Sequence, residues 1–210
     1  MSPAVLGVDL AGSERRPTGL CLLRGLKVEL GIAWTDREIV EAAVKGAADL
    51  IAIDAPLSLP RGRRSLEEHS PHHLRECDRE LLKRRIKFFP VTLGPMRKLT
   101  ARGMRLKAEL ESLGFKVIEV YPGGAQDVLG IPRKSEGKDK LYEGLAKLGL
   151  EGLKPDASDH ELDAVTAAIV GALYLLGLHE DYGDPKEGII VMPKQGLTSE
   201  LLASKLRTLA

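Results

Sequence analysis

Asp9 and Asp54 each close a short apolar run, Val5-Leu-Gly-Val-Asp9 and Leu50-Ile-Ala-Ile-Asp54. A carboxylate set among buried aliphatic side chains is costly unless it is paired or binds a metal. Taken singly, each is equally well read as a loop-capping aspartate. Asp163 follows Ser158-Asp-His160-Glu-Leu and enters the apolar stretch Ala164-Val-Thr-Ala-Ala-Ile-Val. A capping box of Ser158 with Glu161 accounts for the first acids of that helix, but not for Asp163, which lies beyond the cap. On a helix His160 and Asp163 share a face, as do Asp159 and Asp163. Glu119, in Val117-Ile-Glu-Val-Tyr121, either joins the same site or bonds to an arginine. Three or four carboxylates converging from strand ends and a helix form a hard-oxygen cage suited to Mg²⁺ or Mn²⁺. Two such ions about 4 Å apart activate a water and stabilise the leaving oxygen of an in-line phosphoryl displacement. In that chemistry Asp9 holds both ions, Asp54 and Asp163 each complete one, and His160 is an outer ligand or proton carrier.

For those acids to meet, the strands that end in them must be neighbours. Val5–Leu10 is apolar at nearly every position, as in a strand buried on both faces. Thr18–Leu23 and Lys27–Trp34 read as two further strands around an Arg24-Gly25 turn. Asp36 caps a helix to about Ala48, and Leu50–Ile53 is a fourth strand able to pair parallel to the first. Phe115–Tyr121 is a fifth. Helices are predicted at about Leu74–Arg85, at Thr100–Leu113 with Gly114 as C-cap, near Ala125–Leu129, near Lys138–Leu148, from Ser158 to about Leu176, and at Thr198–Leu209. Gly188–Met192 is a candidate edge strand. The expectation is one α/β domain over residues 1–210, with a five-stranded mixed sheet, strands one to three antiparallel and four and five parallel to one, flanked by helices. A basic helical insertion spans about 56–113. Asp9 and Asp54 then leave the same C-terminal edge, where open α/β sheets place their sites.

The net charge of +1 hides an asymmetry. Between Arg61 and Arg105 there are 13 Lys and Arg against 5 Asp and Glu, a balance of +8, so the rest of the chain carries −7. A carboxylate site repels a polyanion until ions fill it, so positive charge is needed beside it. Arg61, Arg63, Arg64, Arg75, Arg79, Arg97, Lys98 and Arg102 are expected to line a groove and contact phosphates. The alternative is a surface network with Glu67, Glu68, Glu76 and Glu80. Two cysteines, Cys21 and Cys77, give no disulfide framework and suit a reducing cytoplasm. No signal peptide is read at the N-terminus and no apolar run suits a membrane span. Asparagine is absent and Arg, Lys and Glu abound, a bias that fits a thermophile.

Val5-Leu-Gly-Val-Asp9-Leu-Ala-Gly, Ile53-Asp-Ala-Pro-Leu-Ser-Leu-Pro, Cys77-Asp-Arg-Glu-Leu, Phe88-Phe-Pro, Glu119-Val-Tyr-Pro and the Asp163-Ala helix resemble domain-of-unknown-function family 429 over nearly the whole chain. That resemblance implies an RNase H-like fold and a predicted nuclease acting on nucleic acid, DNA or RNA. More distantly, the same residues are similar to RuvC-type Holliday-junction resolvases. Those carry acids on the first and fourth strands and an Asp or His three residues before a final Asp, an order that Asp9, Asp54, His160 and Asp163 follow. The fourth-strand acid is commonly Glu there and is the shorter Asp54 here. Other readings remain open: a non-catalytic nucleic-acid-binding module of this fold, a phosphate-binding relative of actin, Hsp70 and the sugar kinases, or a zinc site at His69, His72, His73 and Cys77. No Walker A or dinucleotide glycine fingerprint is present.

Overall fold

The computed structural model describes residues 2–209. The elements run β1 (Val5–Asp9), β2 (Thr18–Arg24), β3 (Lys27–Ala33), α1 (Asp36–Lys45), β4 (Leu50–Asp54), α2 (Glu76–Lys83), α3 (Gly94–Ser112), β5 (Val117–Val120), α4 (Pro122–Leu129), a 3-10 turn (Lys134–Glu136), α5 (Lys138–Ala146), α6 (Asp159–Leu175), β6 (His179–Asp184), β7 (Gly188–Pro193) and α7 (Ser199–Arg207). The first three strands form an antiparallel meander, and β4 and β5 run parallel to β1.

The sheet has seven strands rather than five, in the order β3-β2-β1-β4-β5-β7-β6. β7 is interior, pairing parallel with β5 and antiparallel with β6. The edge strand β6 reads His-Glu-Asp-Tyr-Gly-Asp and buries only Tyr182, so it carries no apolar alternation by which a strand is recognised. Two helix starts also differ from expectation. Thr35, not Asp36, caps α1, in a capping box with Glu38. That leaves the Asp36 carboxylate free to accept a 2.7 Å bond from Arg102 Nε. α3 begins at Gly94 because Pro95 fits its first turn, where a missing N–H is harmless.

Period-two alternation divides the core into layers. Val5, Leu50, Ala52, Ile118 and Val120 face one side, under α4, α5, α6 and α7. Leu6, Val8, Ile51 and Ile53 face the other, under α1 and α3. A smaller cluster ties α2 to β6 and β7 through Cys77, Leu81, Tyr182 and Ile190. The long helix α6 is apolar almost all round and lies across β1 and β2. Two glycines permit this approach. A Cβ on Gly7 would come 2.1 Å from the Ala164 carbonyl oxygen, and one on Gly19 would come 2.1 Å from that of His160. These contacts bring the first two turns of α6 onto the ends of β1 and β2. None of the described helices is long and apolar enough to cross a membrane.

Candidate active site

Asp9 and Asp54 are the last residues of adjacent parallel strands and stand directly opposite each other in register. Alternation puts both on the α6 side of the sheet, in phase with Val5 and Ala52. Asp163 comes to the same edge from above, in the second turn of α6. His160, one turn earlier, makes a 2.6 Å contact from Nδ1 to Asp9 Oδ2. With the Asp9 oxygen as acceptor, Nδ1 is the donor, and Nε2 has no hydrogen-bond partner among the described residues. This hydrogen bond holds the His160 pKa above its ordinary value.

Two partners of Asp163 were not among the residues expected at the site. Lys134, from the 3-10 turn, places Nζ 2.7 Å from Asp163 Oδ2. Gln126 of α4 donates from Nε2 to Asp163 Oδ1 at 2.8 Å and to Thr166 Oγ1 at 3.1 Å. Gln126 is one of only two glutamines in an amide-poor chain, the single clue available beforehand. Lys134 sits in an ordinary Arg-Lys-Ser stretch, and nothing there marks it.

The electrostatics report crowded negative charge. Burial raises the Asp54 pKa well above the carboxylate range, and Asp9 and Asp163 push it the same way, against Lys134. Burial also raises Asp163, with Lys134 opposing. Burial works against the charge on Lys134, but Asp163, Asp9 and Asp54 outweigh it and hold the ammonium protonated. One lysine thus serves three acids. Among the described residues no three His, Cys, Asp or Glu donors close on a single point as a ready-made metal cage. The donor chemistry, hard carboxylate oxygens with excess negative charge, nevertheless suits a divalent ion.

Glu119 does not join this group. It pairs in register with Ile53, one residue out of phase with Asp54, and so faces the α3 side of the sheet. Its carboxylate takes the Leu57 N–H at 2.7 Å and both terminal nitrogens of Arg75 at 2.8 Å. Arg75 also grips Asp78, and its five N–H donors are all engaged once Ser58 Oγ is included.

The basic residues divide just as sharply. Arg75 is 2% exposed and forms this internal network, and Arg102 is 2% exposed and binds Asp36, the Ala11 carbonyl and the Trp34 carbonyl. Arg63 is buried and ties together the carbonyls of Ser65, Leu66, Glu68, Ser70 and His72. These three hold the segment between β4 and β5 in shape rather than facing a groove. Arg61 pairs with Asp184, and Arg79 weakly with Glu76. Among the described residues Arg64, Arg97 and Lys98 have no ion-pair partner. Leu99, next to Lys98, packs over Gly12 just beyond β1 and lines the space beside Asp54. The histidines at 69, 72 and 73 form no metal-binding group, and His73 bonds Thr92.

Residues 7–187 match a family model described as protein of unknown function (DUF429). Among curated proteins, none matches the sequence. The fold is similar to that of a solved structure from T. thermophilus, RuvC in complex with a Holliday junction substrate, with a TM-score of 0.52 and 14% identity over 83% of this chain and 96% of that one. At that identity the likeness concerns the RNase H-like fold.

Proposed function

The chain belongs to the DUF429 family, and from that premise we propose that it is a nuclease that hydrolyses nucleic-acid phosphodiesters with the help of Mg²⁺ or Mn²⁺. The observation that carries this reading is the in-register pair Asp9 and Asp54 at adjacent parallel strand ends, with Asp163 brought over them by α6. Asp9, Asp54 and Asp163 would hold the metal, which when bound supplies Lewis acidity at a phosphoryl oxygen and lowers the pKa of a coordinated water. The chain's own residues do the rest. Asp9 orients His160, whose Nε2 is left to take or give a proton. Lys134 neutralises part of the charge and fixes Asp163. Arg64, Arg97 and Lys98 offer unpaired positive charge for the phosphates of a polyanion. The solved relative of the same fold is described with a Holliday junction, which supports nucleic acid as the partner.

The test is a panel of labelled DNA and RNA forms incubated with Mg²⁺ or Mn²⁺. Wild type should cut at least one of them. Asp9→Asn should abolish cutting while leaving the fold intact, and His160→Ala should slow it by less. Lys134→Met adds a readout that does not depend on activity. Without the ammonium the acids repel more, so the metal-free melting midpoint should fall and the rise on adding Mn²⁺ should grow. A second reading has one specific observation behind it. Asp163 already holds an internal cation in Lys134, which suits a binding module that needs no metal. Tight nucleic-acid binding without cleavage, and no Mn²⁺ effect on melting, would favour that module.

A further inference from the structure

A cavity of about 300 Å³ opens beside Asp54. That lies at the low end of the roughly 300–1,000 Å³ of small-molecule sites, and fits one ring system better than a whole nucleotide. Its apolar surface comes from Pro56, Leu81, Phe88, Phe89, Met96 and Leu99. Arg75, Asp78 and Glu119 contribute the opposite wall, but every N–H donor of Arg75 is already spent within the protein. The network therefore gives the cavity a polar wall whose guanidinium has no N–H left for a ligand phosphate. Asp54, Lys134 and Tyr121 complete the lining. Phe89 lines this cavity and is 67% exposed, so its ring is open to a ligand arriving from solution. A greasy slot with an exposed aromatic ring, a carboxylate beside it and unpaired lysine and arginine nearby matches the chemistry of a heteroaromatic base on a charged backbone.

We infer that this cavity receives one unpaired nucleobase of the strand whose phosphate lies at the aspartates, so that the substrate is single-stranded, bulged or branched at that point and not a continuous duplex. This rests on the nucleic-acid reading above and narrows its substrate class. A base stacked in a duplex cannot enter a side pocket, and extruding it is least costly where it is already unpaired. The ring of Phe89 stacks on the base, and Met96 and Leu99 close over its edge.

Binding to the full chain is measured in EDTA, where cleavage plays no part, by anisotropy of a blunt duplex and of the same duplex with one bulged 2-aminopurine. The bulged form should bind about tenfold tighter, with a change in 2-aminopurine fluorescence. Phe89→Ala is surface-exposed and should fold; it should bring the ratio of the two affinities towards one, while Phe89→Trp should keep it. Equal affinity for the two duplexes, or a ratio unmoved by Phe89→Ala, overturns the inference. So does binding of free 2-aminopurine riboside as tight as the bulged strand, which would mark a nucleoside pocket instead. The two readings fail separately. A protein with the base preference that cuts nothing with Mg²⁺ or Mn²⁺ refutes the nuclease reading alone. One that cuts blunt duplex as fast as bulged refutes the base pocket alone.

Discussion

Asp54 bears on the stability of the fold as well as on the proposed chemistry. Its carboxyl lies half-buried at the end of a central strand, beside Asp9 and below Asp163, and desolvation together with those two charges raises its pKa well above its ordinary value. The sign of the pH dependence follows. A group whose folded pKa is raised favours the folded state fully below its unfolded pKa, about 4, and loses that contribution as pH rises through the folded value. At neutral pH in EDTA an ionised Asp54 is therefore destabilising. Asp54→Asn should melt higher than wild type at pH 7, by several °C given that 1 kcal/mol shifts a chain of this size by about 2–4 °C. The gain should shrink as pH falls towards 4, where the wild-type carboxyl is protonated in both states. The same variant should lose cleavage, a trade of activity for stability. Melting curves across pH check it, and a variant that melts lower at pH 7 would contradict the electrostatic account.

Between β4 and β5 three buried arginines, Arg63, Arg75 and Arg102, tie the chain to its surroundings. Arg75 connects α2 to β5 through Glu119 and to its own helix through Asp78, all three nearly inaccessible. Removing one partner of such a network strands the others as buried charges. Arg75→Met should cost about 3–5 kcal/mol in denaturant unfolding. Arg79→Ala, which removes a half-exposed pair with Glu76 on the same helix, should cost less than about 1 kcal/mol. Similar losses in the two variants would mean that Arg75 contributes no more than a surface ion pair. The helix α6 shows the same dependence on a few positions. Gly7 and Gly19 allow its backbone to touch the sheet, and the placement of His160 and Asp163 over Asp9 depends on that approach.

Taken together, the molecule presents the three aspartates at one edge of the sheet and gathers 13 of its 31 Lys and Arg in the segment from Arg61 to Arg105. Part of that charge is consumed internally, by Arg63, Arg75 and Arg102. The remainder available to a polyanion includes Arg64, Arg97 and Lys98, with α3 starting next to the end of β1. Nucleic-acid affinity should fall with salt, and each phosphate contact removed should lower the log–log slope by about 0.9 for duplex DNA. An Arg64→Ala/Lys98→Ala double variant should therefore bind more weakly with a slope smaller by up to about two units, without loss of thermal stability. A salt titration decides it; unchanged slope and affinity would place the polyanion on another face.

Much of this arrangement was legible from residue order alone. The apolar runs ending in Asp9 and Asp54, the Ser158 capping box and the glycine- and proline-bounded segments depend on neighbours in the chain, and local periodicity records them. Glu119 was also visible, but not the side of the sheet it faces. A one-residue difference in phase with Asp54 sends it to the opposite face, and phase is set by strand register. The arginines looked alike in the sequence; which became buried braces and which stayed free depended on carbonyls and carboxylates up to 91 residues away, as in the bond from Arg102 to the Ala11 carbonyl. Lys134 and the polar strand β6 carried no pattern at all. Long-range packing supplied their partners, because a side chain's charge is encoded where it stands and its counter-charge is not.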